Sequence, residues 1–264
     1  MKINFSKYQG TGNDFILVDD RENKIRFSSD QIEHLCNRRF GIGADGLILL
    51  RNRPGYDFEM VYYNADGNES SMCGNGGRCI TAFARRTGVV KGESKFWAID
   101  GEHQAIITND ADIIVKLKMI DVKEIEVHPD FIFLDTGSPH YVKFVNDVKS
   151  VDVVAEGRKI RNNERFAEKG TNVNFVQTTD GELIVRTYER GVEDETLSCG
   201  TGVTASALAA VFKDKSRRKK GVVSITTPGG KLKVYFETNG VGFSNIWLEG
   251  PATYVYSGDV EVGS

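Results

Sequence analysis

Two cysteines, each followed by a glycine-rich tripeptide, are the residues of this chain best suited to chemistry. Cys73 opens the sequence Cys-Gly-Asn-Gly, and Cys199 opens Cys-Gly-Thr-Gly 126 residues later. Each motif runs into a segment of small, alanine-containing sequence, so each predicts the start of a helix. A thiol at a helix N-terminus meets unpaired N–H groups and the positive end of the helix dipole, which favour the thiolate. The pattern therefore predicts two reactive thiols.

The flanks of the two cysteines repeat as well. Residues 11–15, Thr-Gly-Asn-Asp-Phe, correspond to residues 136–141, Thr-Gly-Ser-Pro-His-Tyr, at an offset of 125. Residues 63–64, Tyr-Asn, correspond to residues 188–189, Tyr-Glu, at the same offset. Similar positions in the same order indicate a duplicated unit. One thiol from each half predicts two acid/base groups that act on one substrate from opposite sides.

The glycines of the two Cys-Gly-x-Gly motifs indicate an anion site. They let the backbone approach a ligand closely, and the N–H groups of a helix start can bind a carboxylate. Upstream of the cysteines, Arg190 can clamp a carboxylate, and Asn64 and Asn172 can bond an amino-acid head group. The alternative for Glu189 and Arg190 is an exposed charged pair in a loop.

Other interpretations of the cysteines are open at this point. A cysteine often behaves as a small buried hydrophobe, and we apply that interpretation to Cys36 and Cys79, which have no counterpart in the repeat. Cys73 and Cys79, with His34 and Cys36, supply enough soft ligands for zinc, but their spacing fits no common zinc site. We therefore predict no metal site. A thiol switch built on Cys73 and Cys199 is the alternative outside enzymes.

A glycine-rich sequence at residues 41–46, Gly-Ile-Gly-Ala-Asp-Gly, matches the spacing of a dinucleotide fingerprint. That fingerprint must follow a strand and open a helix. Here the sequence follows a helical pattern and enters an apolar strand. We therefore predict a turn that brings backbone close to the site.

Length and charge limit the classes of function. The chain has 264 residues, 40% of them hydrophobic, and 34 basic against 37 acidic residues. Because these charges balance, the protein has no strong positive potential that would attract nucleic acid or anionic lipid. The basic run at residues 216–220 is predicted to be a solvated helix end or loop. Because the sequence contains no signal-peptide or membrane-spanning apolar stretch, we predict a cytoplasmic protein with reduced cysteines. A homodimer is compatible with the sequence.

Apolar periodicity predicts many strands and few helices. Helices are predicted over about residues 30–39, where Ser28 and Gln31 form a capping box, and over about residues 75–86 and 201–213. The last two are apolar on most faces, which is typical of buried helices. The predicted strands cover residues 15–18, 46–50, 58–63, 113–117, 141–145, 172–176, 183–188 and 231–236.

We therefore predict an α/β (α+β) fold of two duplicated, pseudo-symmetric domains. Each is a curved, mainly antiparallel sheet around a central helix, with the active site in the cleft between the two. The first domain comprises residues 1–119 with 251–264, because the strand-like residues 252–256 are expected to return to it. The second comprises residues 120–250.

Seven motifs, in order along nearly the whole chain, carry a resemblance to a known family. They lie at residues 10–15, 39–46, 63–67, 72–79, 171–175, 188–191 and 198–202. At these residues the sequence resembles the diaminopimelate epimerases, two-cysteine enzymes that work without pyridoxal phosphate. The resemblance implies epimerisation of a small-molecule substrate, LL-diaminopimelate, to the meso form, with no cofactor and no nucleic-acid or membrane partner.

The resemblance also implies roles for individual residues. Cys73 and Cys199 would form the thiolate/thiol pair, and His140 and Glu189 lie at positions that influence the pKa values of these thiols. The backbone N–H groups that bind the reacting carboxylate would come from Gly74, Asn75, Gly200 and Thr201. The residues that recognise the substrate, largely at its distal end, would be Asn13, Asn64, Asn172, Glu189 and Arg190.

The chain departs from the family in two places. Ser138 stands where the family often has an asparagine before Pro-His, and residues 191–196 form a loop one residue longer than usual. Within enzymes, the alternative is a proline or hydroxyproline racemase. Such an enzyme needs no distal amino-acid clamp, so Arg190, Asn64 and Asn172 favour the longer substrate.

Overall fold

The computed structural model describes residues 1–109, 111–214, 220–238 and 240–263. It contains two compact units, Met1–Leu117 with Gly250–Ser264, and Lys118–Glu249. The domain boundaries given above, 1–119 with 251–264 and 120–250, stay a prediction. Residues 216–219 of the basic run lie outside the described residues.

The first unit is a sheet that surrounds one long helix. Its elements are β1 (Lys2–Gly10), β2 (Asn13–Asp19), α1 (Ser29–Cys36), β3 (Gly46–Arg51), β4 (Phe58–Asn64), β5 (Glu69–Ser70), α2 (Gly74–Arg86), β6 (Glu93–Ala98), β7 (Gly101–Asn109), β8 (Ile114–Lys118) and β18 (Thr253–Glu261). The strands lie in the order β18-β1-β2-β3-β4-β6-β7-β8, with β5 beside β4. Strand β18 pairs antiparallel with β1 and so lies in the sheet of this unit.

The second unit has the same construction. Its elements are β9 (Ile125–Val127), β10 (Ile132–Asp135), β11 (Pro139–Phe144), a 3-10 turn (Val148–Ser150), α3 (Val153–Arg161), β12 (Asn172–Thr178), β13 (Glu182–Glu189), β14 (Asp194–Thr196), α4 (Gly200–Lys213), β15 (Lys220–Thr227), β16 (Gly230–Thr238) and β17 (Phe243–Pro251). The strands lie in the order β9-β10-β11-β12-β13-β15-β16-β17, with β14 beside β13.

Strand directions confirm the duplication. From β1 to β8, successive neighbours are antiparallel, parallel, antiparallel, parallel, antiparallel and antiparallel. The series from β10 to β17 is identical. Most pairs are antiparallel, as the sequence predicted.

Helices α2 and α4 are the centres of their units. Every residue of α2 from Gly74 to Ala84 is buried, as are Gly202 to Val211 of α4. Helix α2 contacts β1, β2, β3, β4 and β7, and α4 contacts β10 to β13, β15 and β16. A helix that is apolar on most faces needs such an enclosure. Within the described ranges, no helix is both long and apolar enough to cross a bilayer.

Helix α1 confirms its predicted start and corrects its predicted end. Ser28 and Gln31 form the capping box, but the helix ends at Cys36 and does not reach residue 39. The carbonyl oxygen of the Asn37 side chain accepts the N–H groups of Arg39 and Phe40, at 2.9 and 3.0 Å, and turns the chain.

The glycine-rich sequence at residues 41–46 forms the predicted turn. A Cβ atom on Gly41 would lie 2.0 Å from the His34 carbonyl oxygen, so only glycine allows this turn to pack against the end of α1. The chain then enters β3, as expected.

Candidate active site

Cys73 and Cys199 occupy the same position, the N-cap, of the two central helices. Both have extended backbone, with φ and ψ of −86° and 132° at Cys73 and −107° and 112° at Cys199. The N–H groups of a first helical turn have no partner within the helix, so each thiol lies at the positive end of a helix dipole. Cys73 is half-buried and Cys199 is buried. The two predicted helix starts are confirmed.

Around Cys73, two asparagine side chains meet in a fixed orientation. The Asn13 amide nitrogen donates to an Asp45 carboxylate oxygen at 2.6 Å, so the Asn13 oxygen points the other way. That oxygen lies 3.5 Å from the Cys73 sulfur and accepts a hydrogen bond from the Asn75 amide at 3.3 Å. The structure thus brings together three of the predicted site residues in the first unit.

Arg78 is a residue of this site that our reasoning from residue types and spacing gave no role. It is fully buried one turn after Cys73, and its guanidinium donates to the side-chain oxygen of Asn75 at 2.9 Å and to the Thr11 hydroxyl at 3.3 Å. Burial lowers the pKa of Arg78. The signal in the sequence was a lone charge in the apolar stretch of α2.

Behind Asn13, a network of charges fixes its position. The Asp14 carboxylate lies 2.6 Å from the Lys7 ammonium and 2.7 Å from the Arg38 guanidinium, which also binds Asp45 at 2.7 Å. Burial raises the pKa of Asp14, but hydrogen bonds and charges from Arg38 and Lys7 outweigh burial and lower this pKa to about 2. Asp14 therefore stays ionised and holds both cations.

Replacing Asp14 by asparagine should lower the free energy of unfolding by about 3 kcal/mol at pH 7, since it leaves the buried Lys7 without its carboxylate. The unfolded chain binds a proton on Asp14 near pH 3.8 and the folded chain near pH 2, so wild-type stability should fall between these pH values. The variant should lack this slope. Chemical denaturation between pH 7 and pH 2 measures both effects. Asp259→Asn, which removes an exposed carboxylate, is the control, and an equal loss there would contradict the assignment.

Around Cys199, hydroxyl groups take the place of the asparagines. The Thr201 hydroxyl lies 3.5 Å from the Cys199 sulfur and 3.1 Å from the Ser138 hydroxyl. Ser138 in turn lies 3.0 Å from Nε2 of His140. Thr201, predicted for its backbone N–H, therefore also places its side-chain hydroxyl beside the thiol.

His140 is fully buried, and its ring is oriented by Asn174, a residue that our sequence analysis did not assign. Asn174 Nδ2 donates to Nδ1 of His140 at 3.0 Å and to the Tyr141 carbonyl at 3.2 Å. Burial, assisted by the positive charge of Arg190, lowers the pKa of His140 to about 3. His140 is therefore neutral at physiological pH.

Asn172, Glu189 and Arg190 lie on neighbouring segments of the second unit. The Arg190 backbone N–H donates to the side-chain oxygen of Asn172 at 2.9 Å, and its guanidinium donates to the Lys169 carbonyl at 2.8 Å. Glu189 ends β13, where its carboxylate accepts the Thr196 hydroxyl at 2.7 Å. Of the pair that could be an exposed charged pair in a loop, Glu189 is half-buried at the end of β13 and Arg190 is exposed.

Asn64 lies in the first unit, at the last position of β4. It pairs with Gly46, which follows Asp45. The backbone of Asn64 closes a turn through bonds with Asn68 at 3.0 Å and Gly67 at 3.0 Å. This places Asn64 at the same end of the sheet as the Asp45 that orients Asn13.

Cys36 and Cys79 are buried, as the hydrophobe interpretation predicted. Burial raises the pKa of each thiol to about 12, so both remain protonated. In the part of the chain that the structure describes, no three His, Cys, Asp or Glu side chains come together as a metal site.

The longer loop at residues 191–196 forms the turn of a hairpin between β13 and β14 and the whole of β14. Glu193 adopts a left-handed conformation, with φ of 60°, and its N–H donates to the Glu189 carbonyl at 2.8 Å. Its carboxylate accepts the Tyr188 hydroxyl at 3.0 Å and the Gly191 N–H at 3.1 Å. The extra residue closes the turn and leaves the N-cap geometry of Cys199 intact.

Two equivalent glycines of the central helices should respond differently to alanine. A Cβ on Gly202 would lie 2.4 Å from the fixed side-chain oxygen of Asn174, whereas a Cβ on Gly76 would meet the flexible ends of Ile48 and Met60 at 3.2 Å. Gly202→Ala should therefore lower the free energy of unfolding by about 2–3 kcal/mol, and Gly76→Ala by under about 1 kcal/mol, because alanine favours the helix. Urea denaturation compares the two, and equal losses would contradict this packing.

Comparison with known proteins identifies the family. The family model for diaminopimelate epimerase matches residues 5–123 and 132–255. A diaminopimelate epimerase of Flavobacterium psychrophilum is 51% identical over 252 residues, which cover 95% of this chain and 97% of that protein. A diaminopimelate epimerase of Chlorobaculum tepidum is 40% identical and covers 95% of this chain and 98% of its own length.

Solved structures share the fold at much lower identity. A phenazine biosynthesis protein of the PhzF family from Bacillus anthracis superposes with a TM-score of 0.76 at 15% identity, and covers 99% of this chain and all of its own. A probable proline racemase from Agrobacterium radiobacter has a TM-score of 0.71 at 16% identity, covering 99% of this chain and 93% of its own. With the matches in sequence over almost the whole length, the chain belongs to the diaminopimelate epimerase family.

Proposed function

We propose that this chain converts LL-2,6-diaminopimelate to meso-diaminopimelate, a step in the formation of lysine and of peptidoglycan precursors. The observation that carries the proposal is the placement of Cys73 and Cys199 at equivalent helix starts in a member of this family. The reaction uses no pyridoxal phosphate. We place it in the cytoplasm, where thiols are kept reduced.

The chemistry needs two thiols because it inverts a carbon centre. One cysteine, as thiolate, removes the α-proton and becomes a thiol, and the electron pair of the broken C–H bond passes toward the α-carboxylate. The other cysteine, as thiol, delivers its proton to the opposite face and becomes a thiolate. The net charge and the number of protons are unchanged, so the pair shares one proton and titrates as a unit.

The carbanion is stabilised by the helix starts. In this proposal the α-carboxylate of the substrate accepts the backbone N–H groups of Gly74, Asn75, Gly200 and Thr201. Preorganised donors at the site where negative charge develops lower the barrier, and they require no reorganisation during the reaction. The buried Arg78 adds fixed positive charge one turn from Cys73.

The distal end of the substrate selects diaminopimelate over shorter amino acids. Arg190, exposed and anchored by its bond to the Lys169 carbonyl, binds the distal carboxylate. Asn64, Asn172 and Glu189 form hydrogen bonds with the distal amino-acid group of the substrate. Asn13, which lies beside Cys73, also contacts the substrate. The substrate of a proline-type racemase has no distal carboxylate, so such an enzyme would not need this arginine.

The experiment is an assay of LL-diaminopimelate in D2O with the stereoisomers separated. We expect meso-diaminopimelate that carries deuterium at the inverted carbon early in the reaction, while recovered substrate carries little, because the abstracting thiol can return the original proton. Absence of meso product would refute the function. Equal early labelling of both pools would refute the two-thiol mechanism. Turnover of proline or hydroxyproline alone would favour the racemase alternative, and no turnover would favour a thiol switch.

A further inference from the structure

Arg78 is a buried charge whose hydrogen bonds reach two separate parts of the site in the first unit. Its side chain is fully buried in α2, one turn after Cys73. Among the described residues, its hydrogen bonds go to neutral oxygens, which are those of the Asn75 and Thr11 side chains and of the Gly74 and Pro251 carbonyls. A buried guanidinium that has no carboxylate partner lowers the stability of the fold. Stability alone therefore does not account for this residue.

Thr11 lies in a strained turn that leads directly to Asn13. The turn joins β1 to β2 between the paired residues Gly10 and Asn13, with φ of 52° at Thr11 and 89° at Gly12. This left-handed conformation suits glycine, but a β-branched residue such as threonine disfavours it. Strain of this kind persists only where the surrounding structure holds it. The turn that places Asn13 therefore needs a contact from outside the turn.

The guanidinium of Arg78 supplies that contact. Its Nη2 group donates to the Thr11 hydroxyl at 3.3 Å and to the Asn75 side-chain oxygen at 2.9 Å. The same group lies against the backbone of the turn, since a Cβ on Gly10 would be 3.2 Å from Nη2. One side chain of α2 therefore connects the turn between β1 and β2 to the first turn of the helix that follows Cys73.

The second unit makes the same connection without a charged residue. Thr136 corresponds to Thr11 at the repeat offset of 125. Its hydroxyl donates directly to the carbonyl of Thr201, in the first turn of α4, at 2.9 Å. The residue that corresponds to Arg78, at an offset of 126, is Thr204, whose hydroxyl donates to a carbonyl of its own helix. Both units thus connect the turn before the site to the start of the central helix, and in the first unit Arg78 makes the connection.

The hydrogen bonds of Arg78 also fix the orientation of two amides. A guanidinium can only donate, so the Asn75 atom that faces it is the oxygen, and the Asn75 nitrogen donates to the Asn13 oxygen at 3.3 Å. At the other end, the carboxylate of Asp45 can only accept, and it takes the Asn13 nitrogen at 2.6 Å. A flip of either amide would bring two donors or two acceptors face to face. This series of four side chains therefore has one arrangement of hydrogen bonds.

We propose that Arg78 is a positioning residue that holds Asn13 in the orientation in which its amide meets the substrate. It acts on Asn13 from two sides, through the turn at Thr11 and through the amide of Asn75. The functional meaning rests on the proposed function, in which Asn13 contacts diaminopimelate. The second N–H of the Asn13 amide then has a fixed direction before substrate binds, so binding does not have to order this side chain.

The test is a double-mutant cycle between Arg78 and Asn13, measured as kcat/KM for diaminopimelate. Arg78→Met should lower kcat/KM by about a hundredfold, the loss typical of a misplaced site. Asn13→Ala should lower it by at least as much, because Arg78 acts through Asn13. For the same reason, the double variant should lie within about twofold of Asn13→Ala alone, whereas independent contributions would multiply.

Two further substitutions separate positioning from charge and from general effects of losing an arginine. Arg78→Lys keeps a positive charge, but a single ammonium lacks the planar fork that reaches both Thr11 and Asn75. Its kcat/KM should therefore stay at least about tenfold below wild type. Arg53→Met is the matched control, because Arg53 belongs to the same unit and lies over the Trp97 ring at 4.4 Å. It should leave kcat/KM at the wild-type value.

The side-chain amides report the same orientation without any turnover. In proton–nitrogen correlation spectra of the full chain, the side-chain resonances of Asn13 and Asn75 are assigned by their loss in Asn13→Ala and Asn75→Ala. We expect both amides to exchange with water more slowly in the wild type than in Arg78→Met. The amides of Asn172 and Asn174, which are hydrogen-bonded in the second unit, are internal controls and should not change.

The other end of the series gives an independent variant if Arg78→Met fails to fold. Asp45 is half-buried, and Asp45→Asn replaces a group that only accepts by one that can also donate. The Asn13 amide can then flip, so kcat/KM should fall, and the loss should not multiply with that of Asn13→Ala.

Three outcomes would overturn the proposal: wild-type kinetics for Arg78→Met, losses in Arg78→Met or Asp45→Asn that multiply with that of Asn13→Ala, or an equal loss in Arg53→Met. Amides that exchange as expected in a protein that makes no meso-diaminopimelate would refute the proposed function and leave the role of Arg78 standing. Normal turnover by the wild type, with amide exchange that does not change in Arg78→Met, would do the reverse.

Discussion

Replacing Cys73 or Cys199 by alanine is expected to lower kcat for epimerisation at least about a thousandfold, since each variant loses one partner of an acid/base pair. Neither thiol can substitute for the other, because a single base returns the proton to the face from which it came. The double variant should be no slower than either single variant, as expected for groups that act as a unit. Separation of the stereoisomers after incubation with LL-diaminopimelate measures all three.

The single variants should still reveal which face each thiol serves. The remaining thiol can remove an α-proton and return a deuteron from D2O without inversion. Each variant should therefore exchange the α-hydrogen of one stereoisomer only, and the two variants should differ in which one. Cys36→Ala and Cys79→Ala are the controls, because these thiols are buried and remain protonated. Substantial epimerisation by Cys199→Ala would refute the two-thiol assignment.

The sequence predicted the two central helices closely because their start signals are local. The Cys-Gly motifs predicted helices from about residues 75 and 201, and the helices begin at Gly74 and Gly200. The repeat also predicted that both units share one plan, which the strand directions confirm. These features depend on residues that are neighbours in the chain, where spacing carries the information.

The sequence analysis missed α3 because long-range packing determines it. This helix, Val153–Arg161, contains Gly157 near its middle, and glycine disfavours a helix interior. A Cβ at Gly157 would lie 2.4 Å from the Tyr188 side chain, so the glycine is needed for α3 to pack on β13. The local signal, Asp152 as an N-cap, was present but weak beside the glycine.

The series of contacts from His140 through Ser138 and Thr201 to Cys199 was also beyond prediction from spacing. Its members come from β11, from the turn before it and from α4, while Asn172 and Asn174, which contact Ser138 and His140, lie on β12. The repeat shows that Ser138 corresponds to Asn13, but only the folded structure shows that its hydroxyl contacts His140 and Thr201. Such contacts between residues that are distant in the sequence form only in the folded site, and neither composition nor the spacing of residues predicts them.

Replacing Arg190 by alanine is expected to lower kcat/KM for diaminopimelate by about a hundredfold, the usual loss for a charge-assisted bidentate contact. The side chain is exposed and bonds a backbone carbonyl, that of Lys169, so its loss should leave the thermal midpoint of unfolding near that of wild type. Gly170, with φ of 73°, lets the arginine lie against the backbone, because a Cβ there would be 2.6 Å from Arg190 Cδ. The guanidinium is therefore held in place before substrate binds.

Arg190→Lys separates charge from geometry. Lysine keeps the positive charge that helps to hold His140 neutral but lacks the planar fork, so kcat/KM should remain well below wild type. Arg165→Ala, which removes an arginine of the same unit that pairs with Glu126 at 2.6 Å, is the matched control and should retain activity. If Arg190→Ala shows wild-type kinetics with diaminopimelate, this arginine does not bind the distal carboxylate. Assays with proline and hydroxyproline then become the decisive measurement, because a short substrate has no group for Arg190 to hold.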